Sequence, residues 1–213
     1  MLFAEQFAFL RDWLSDPLRV AAVAPSSHSL AEIITGEITR VHSPVIELEP
    51  GTGVFTRRLI QRGIPQERLA LVESGYEFAK RLDWRFPTAQ VLCMDACRLD
   101  QIELFDGELA GAVVSGLPLL SMPTRKVIGI LRASFAHLRF GGSFYQFTYG
   151  LRCPVARCVL ERCGLRARRI GWTLINVPPA SVYKISRRNM LICHADHESH
   201  QSYKINAIPL GCP

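Results

Sequence analysis

Five short apolar runs, VIELE (45–49), LALVE (69–73), AQVLC (89–93), LAGAVVS (109–115) and SFYQFTY (143–149), alternate with helical segments near 54–62, 75–84 and 123–138. This alternation constrains the fold more than any other feature of the chain. Runs this short and rich in β-branched and aromatic residues read as strands covered on both faces. Strands separated by helices return to the same end of a sheet and pair in parallel. The expectation is an α/β protein with a parallel, doubly wound sheet. Two later β-rich segments, GLRARRIGWTLINVP and SVYKISRR, flank a Pro-Pro turn and predict an antiparallel finish. Helical spacing of Phe3, Phe7, Leu10 and Leu14, widened by Leu2, Phe9 and Trp13, predicts an amphipathic helix over residues 2–14. A second helix is expected after PSSHS, capped by Ser26 or Ser27, with Leu30, Ile33 and Ile34 inward.

The 213 residues, 48% of them apolar, are enough for one sizeable core, and no apolar run reaches the roughly 18 residues of a membrane span. Seven cysteines without a C-x-x-C pair read as reduced thiols, and the opening segment lacks a basic region typical of a signal peptide. A cytoplasmic protein is expected. The net charge of +6 is unevenly placed: residues 150–188 hold nine Lys/Arg against the single acid Glu161. Such a segment fits an anionic partner, nucleic acid or membrane, or else a solvated basic face.

In a doubly wound sheet, ligands bind beyond the carboxyl ends of the strands, where the strand order reverses. The first βα turn is E-x-E-x-G-x-G, from Glu47 through Glu49 to Gly51, Thr52 and Gly53, and it opens a helix. Gly51 and Gly53 allow backbone to approach a ligand closely. Glu73, followed by Ser74, ends the second strand where a carboxylate grips a ribose diol. Asp95, followed by Ala96, ends the third, where an acid takes an adenine amino group or caps a helix. The fourth ends in SGLPLLSMP, whose Ser115, Gly116, Leu117 and Pro118 put a hydroxyl and carbonyls in a rigid loop, or form a plain turn. Together the strand-end acids favour a nucleoside cofactor over a mere tight corner.

ELEPGTG, LVES, MDA and SGLPLLSMP, in that order, resemble the motifs of S-adenosylmethionine-dependent methyltransferases with a Rossmann-like, seven-stranded, mostly parallel sheet and helices on both faces. SGLPLLSMPTRKVIGIL, LRFGGSFYQFTYGLRCPV, VPPASVYKISRR and FLRDWLSDPLRVAAVAPSS are more closely similar to bacterial phospholipid N-methyltransferases, over about residues 3–188. The resemblance implies methylation of phosphatidylethanolamine and its methylated intermediates toward phosphatidylcholine. It implies a peripheral enzyme on the inner face of the cytoplasmic membrane, docked by an amphipathic helix bearing Phe3, Phe7, Leu10, Trp13 and Leu14. The domain organisation would be a docking helix and linker over 1–25, the methyltransferase domain over 26–188, and a flexible extension over 189–213. Glu47, Glu49, Gly51, Thr52 and Gly53 would line the methionine part of the cofactor, Glu73 and Ser74 the ribose, and Asp95 and Ala96 the adenine. Ser115 to Pro118 would lie beside the reacting amine, with Ser115 also touching the cofactor. S-adenosylhomocysteine would be the product. Glu49 stands where the family pattern has its first glycine, and the resulting expectation is weaker cofactor binding than a glycine would give.

An ammonium has no lone pair, so the amine must lose a proton before it can attack; Ser115, neighbouring carbonyls and water are the candidate acceptors, and no general base is named. Tyr145, Phe147 and Tyr149 share one strand face. Of these, Tyr149 at the carboxyl end is the candidate wall for a methylated ammonium, together with Tyr183. Lys184, Arg187 and Arg188 are candidates for the lipid phosphate, or form a basic edge strand. The expected partners are the phospholipid and an anionic membrane surface, without nucleic acid or metal, and the chain is expected to be a monomer. Two other readings stay open: an RNA adenine N6-dimethyltransferase, and a membrane-binding protein whose cofactor site is impaired by Glu49. Against the first, SGLPL lacks the aromatic of N-L-P-Y that stacks on a flipped base. Cys193, His194, His197 and His200 could hold zinc but read as part of the terminal extension.

Overall fold

The computed structural model describes residues 24–174 and 179–188. The expected helix at 2–14, with its membrane-facing residues, and the histidine-bearing tail after Arg188 lie outside the described residues. Strands β1 (Val45–Leu48), β2 (Leu69–Glu73), β3 (Gln90–Cys93), β4 (Ala110–Ser115), β5 (Leu138–Tyr149), β6 (Leu165–Thr173) and β7 (Ala180–Arg187) form one sheet in the order β3-β2-β1-β4-β5-β7-β6. Strands β1 to β5 run parallel, and β7 inserts antiparallel between β5 and β6. The seven-stranded Rossmann-like expectation is met, including the antiparallel finish. From β1 the chain steps outward to β3 and then crosses to β4, so the order reverses between β1 and β4. The carboxyl ends of those two strands define the crevice where a ligand belongs.

Continuous burial of β1, β2 and β4 follows from helices on both faces. One face carries α1 (Ala24–Ile34), α2 (Val54–Gln61) and α3 (Tyr76–Arg85), whose Leu30, Ile34, Leu59 and Leu82 pack with Val45, Leu71, Val114 and Tyr145. The other carries α4 (Thr124–Ala136), α5 (Arg157–Arg162) and a short 3-10 turn over Ala96–Gln101, with Val127, Ile130, Leu131 and Val159 against Ile46, Val72, Val113 and Phe144. Tyr145 and Phe147 are therefore core residues, the first of them 1% exposed.

Four local readings need correction. Helix α1 begins at Ala24, so Ser26 and Ser27 fall inside it and the helix crosses the boundary drawn between residues 25 and 26. Strand β5 starts at Leu138, five residues before the expected start at Ser143, because the chain pairs Leu138 with Ala110 before a register shift. Helix α5 was not expected; RCVLER is short and arginine-rich, and only Val159 and Leu160 bury to hold it. Finally, β7 is an interior strand, so Lys184 and Arg187 are not edge protection. That role falls to β6, where Arg166, Arg168 and Arg169 line the open edge.

Candidate active site

The crevice is built from three loops at the carboxyl ends of β1, β2 and β4. The loop after β1 holds three left-handed residues within five positions: Glu49 at φ 52°, Gly51 at 54° and Gly53 at 73°. For Glu49 this conformation costs about 1 kcal/mol, which glycine would not pay. The strain is met by specific bonds. The Glu49 backbone N–H donates to the Val72 carbonyl at 2.8 Å, and its Oε1 accepts from the Ser74 N–H at 3.1 Å. Glu73 ties the same two loops from the other side: its Oε2 accepts from the Gly51 N–H at 3.1 Å and its Oε1 from the Gly75 N–H at 3.0 Å. The Arg85 guanidinium donates to the Thr52 carbonyl at 2.7 Å, closing the outer side of the loop.

Glu47 lies beneath, fully buried on β1, where the Thr56 hydroxyl of α2 donates to its Oε2 at 2.7 Å. Its Oε1 is buried with no protein partner. Burial pushes the Glu47 carboxyl up to about 8. Burial and the neighbouring Glu73 likewise push Glu49 up to about 8. Three carboxyls thus converge on one crevice, and among the described residues no ion pair is recorded for any of them. Such a site suits a ligand bearing positive charge. An added Cβ at Gly51 would meet nothing within 4 Å, so the loop faces open space where a ligand backbone would lie.

Asp95 ends the loop after β3 and caps the 3-10 turn, with Oδ1 accepting from the Cys97 N–H at 3.0 Å and Oδ2 paired with Lys126 of α4 at 3.0 Å. The Cys97 N–H and then Lys126 hold its carboxyl below the usual range. Ala96 beside it is buried. Both alternatives for Asp95 therefore concern one residue: it is a cap, and it stands at the strand end.

The loop after β4 is seated against the first. The Gly116 N–H donates to the Leu48 carbonyl at 2.8 Å, and the buried Ser115 hydroxyl accepts from the Leu117 N–H at 3.3 Å. Gln146 of β5, fully buried, donates from Nε2 to the Leu117 carbonyl at 2.8 Å. Sequence reading missed Gln146 and Thr56. The available signals were a polar residue inside the apolar run SFYQFTY and a threonine three residues after Gly53, on the inward side of α2. The Pro118 carbonyl accepts from the Ser121 N–H and hydroxyl at 2.9 and 2.8 Å.

Tyr149 reaches the same end of the sheet, its ring edge-on to Phe147 at 5.6 Å, and burial pushes its phenol up to about 12. Tyr183 donates its hydroxyl to the Leu151 carbonyl at 2.6 Å. The three cations proposed for lipid phosphate are not brought to the crevice. Lys184 pairs across the sheet with Tyr145, four residues below Tyr149, and binds Glu37 at 2.6 Å. Arg187 donates to the carbonyls of Phe135, Leu138 and Arg139, closing the carboxyl end of α4, and Arg188 donates to the Leu165 carbonyl. These side chains serve the opposite end of the fold. Replacing Arg187 with alanine is expected to cost about 2–3 kcal/mol of stability, because three partly buried carbonyls lose a charged donor. A melting curve checks the first effect, and unchanged lipid affinity checks that the residue is structural.

The sheet order, the reversal between β1 and β4 and the acid-rich loops define the class I S-adenosylmethionine-dependent methyltransferase fold. The TehB-like S-adenosylmethionine-dependent methyltransferase of Corynebacterium glutamicum superposes with a TM-score of 0.59 at 13% identity, covering 87% of this chain and 99% of that one. The mitomycin 7-O-methyltransferase MmcR gives 0.55 at 15% identity over 76% of this chain, which spans about half (54%) of its length. No family model matches the sequence. The ornithine lipid N-methyltransferase of Singulisphaera acidiphila is 33% identical over 147 residues, 67% of this chain and 77% of that protein. The chain belongs to this family of lipid N-methyltransferases.

Proposed function

We propose that the protein methylates the amine of phosphatidylethanolamine and of its methylated intermediates, toward phosphatidylcholine, at the inner face of the cytoplasmic membrane. The observation that carries this reading is the acid-lined crevice at the β1/β4 reversal, closed by an SGLP loop, in a chain whose 33%-identical relative methylates a lipid amine. Phosphatidylethanolamine is favoured by the resemblance of the SGLPLLSMP and QFTYG segments to phospholipid N-methyltransferases.

S-adenosylmethionine supplies a methyl group on a cationic sulfur, an electrophile that needs little further activation. Two features fit it: the orphaned Glu47 oxygen and the open space over Gly51. Glu73 with Ser74 would take the ribose and Asp95 with Ala96 the adenine. Glu47, Glu49, Gly51, Thr52 and Gly53 would hold the methionine end. The protein's remaining task is to orient a neutral amine and exclude water. In the SGLP loop, the Leu117 and Pro118 carbonyls are already engaged by Gln146 and Ser121. The Gly116 carbonyl, and the Ser115 hydroxyl through the lone pair not used by the Leu117 N–H, are then the acceptors assigned to amine N–H groups. Tyr149 and Tyr183 would flank the methylated product.

Membrane contact is supported by exposed Leu151, Trp172 and Leu174, all near the end of the sheet where Tyr149 pairs with Ala180. Trp and Leu at such a rim suit a lipid interface. No helix among the described residues is long and apolar enough to cross a membrane, and none of their His, Cys, Asp and Glu side chains group to hold a metal.

The test is transfer of isotope-labelled methyl from S-adenosylmethionine to vesicles containing either phosphatidylethanolamine or ornithine lipid, with RNA as a third acceptor. Label in phosphatidylethanolamine, at least tenfold above ornithine lipid, is the expected result. Label in ornithine lipid alone would reassign the substrate to that of the relative, and label in RNA alone would reject a lipid substrate.

A further inference from the structure

Gln146 is a primary amide, 0% exposed, set in strand β5 between Tyr145 and Phe147. The sheet register places it beside Ser115, the last residue of β4, and its side chain reaches the loop that leaves that strand. Its Nε2 donates to the Leu117 and Phe147 carbonyls, both at 2.8 Å. Two carbonyl acceptors fix the orientation of the amide, because the reverse would set Oε1 against both of them. Oε1 is then left buried with no protein partner. An unpaired amide oxygen in the interior opposes folding, so packing alone does not call for glutamine here. The bond to Leu117 does.

The loop that Gln146 holds is a series of locked peptides. The Leu117 N–H turns back to the Ser115 hydroxyl at 3.3 Å. That peptide is trans, so the Gly116 carbonyl on its other edge points the opposite way, away from Ser115. Pro118, at φ −82° and ψ 65°, is the centre of an inverse γ-turn, closed by the Leu119 N–H on the Leu117 carbonyl at 3.0 Å. The Leu117 carbonyl thus has two donors, one from its own loop and one from the neighbouring strand. A γ-turn alone could swing as a unit about Gly116, where the absence of Cβ leaves the backbone soft. The bond from Gln146 ties it to the sheet.

We propose that Gln146 is a positioning residue for methyl transfer: by anchoring the Leu117 carbonyl to β5 it keeps the Gly116 carbonyl directed at the reacting amine. The proposal rests on the assignment of a lipid amine to the SGLP loop. Gln146 acts through that loop and not on the amine itself. Its bonds go to the loop after β4 and to β5, not to the cofactor loops after β1 and β2. Its loss therefore slows transfer and spares donor binding.

The test compares wild type with Gln146→Met and Gln146→Glu on vesicles containing phosphatidylethanolamine and, separately, ornithine lipid. Methionine keeps the length and shape of the side chain without its donors. A protonated glutamic acid keeps one donor, and an ionised one keeps none. Single-turnover transfer at saturating donor and lipid is expected to fall about tenfold or more in Gln146→Met, toward the roughly 100-fold of a 1 Å misplacement. Affinity for S-adenosylmethionine by calorimetry, and KM for the lipid, are expected to stay within about twofold of wild type. The rate of Gln146→Glu relative to wild type falls as pH rises, because ionisation removes its one donor and sets charge against the Leu117 carbonyl. That pH dependence separates the donor from mere packing. Transfer within threefold of wild type in folded Gln146→Met, a loss confined to lipid KM, a parallel loss of donor binding, or a Gln146→Glu ratio flat with pH would each overturn the proposal and leave the lipid assignment standing. Failure of both variants to fold would make Gln146 a residue of the fold alone and overturn it too. Wild-type protein that methylates neither lipid would overturn the lipid assignment and the proposal with it.

Discussion

Glu73→Ala is expected to weaken S-adenosylmethionine binding by about 100-fold or more, the largest loss from any single side chain of the cofactor loops. Glu73 is 4% exposed and bridges two loops, accepting from Gly51 in the first and Gly75 in the second. Hydrogen bonds to a charged group are worth about 1.5–3 kcal/mol each, and their removal also leaves two backbone donors unpaired in a confined space. The loop proposed to approach the cofactor then loses its lateral support, and the ribose would lose the acceptor proposed for it. Glu73→Gln should fall between wild type and alanine, because its amide offers one oxygen for two donors and aims an N–H at the other. Calorimetry measures both, with circular dichroism to confirm that each variant is folded. Binding of folded Glu73→Ala within threefold of wild type would show that the carboxylate serves the loops alone.

The strand–helix alternation was legible because parallel strands covered on both faces must be mostly apolar, and VIEL, LALVE and AGAVVS are, each with a single polar residue toward its carboxyl end: Glu47, Glu73 and Ser115. The strand-end acids were legible because the reversal of strand order fixes where a ligand lies. Less legible were features set by partners distant in sequence. Nothing local distinguishes Lys184 and Arg187 from phosphate ligands. Their partners, Glu37 and the carbonyls of Phe135, Leu138 and Arg139 where α4 passes into β5, are brought to them only by the sheet. The burial of Glu37 opposes its ionisation, but the hydrogen bond and charge of Lys184, with Arg168, outweigh that and hold its carboxyl below the usual range. The same holds for Gln146, whose role depends on the pairing of β5 beside β4 placing it next to the SGLP loop. Helix α5 was missed for a different reason: six residues carry too short a period to stand out, and its stability comes from packing rather than propensity.

Gly116→Ala tests how the two halves of the site are joined, and methyl transfer is expected to fall about 100-fold. A Cβ at residue 116 would lie 2.5 Å from the Glu49 carbonyl oxygen and 3.3 Å from that of Leu48. Both are backbone atoms of the cofactor loop, held by the β1–β2 and β1–β4 ladders, and neither can swing aside as a side chain would. The strain must instead move the SGLP loop outward, stretching the 2.8 Å bond from Gly116 to Leu48 and shifting Ser115 and the Gly116 carbonyl away from the amine. A misplacement of about 1 Å at reacting groups costs on the order of 100-fold in rate. Overpacking adds a stability cost of about 1–3 kcal/mol, visible as a lowered melting temperature. Single-turnover methyl transfer at saturating donor separates the two effects, since it reads amine positioning after the cofactor is bound. Lost transfer with donor binding retained would place the damage at the acceptor side, where Ser115 and Gly116 are assigned. Wild-type transfer in a folded Gly116→Ala protein would mean that the SGLP loop does not position the reacting amine.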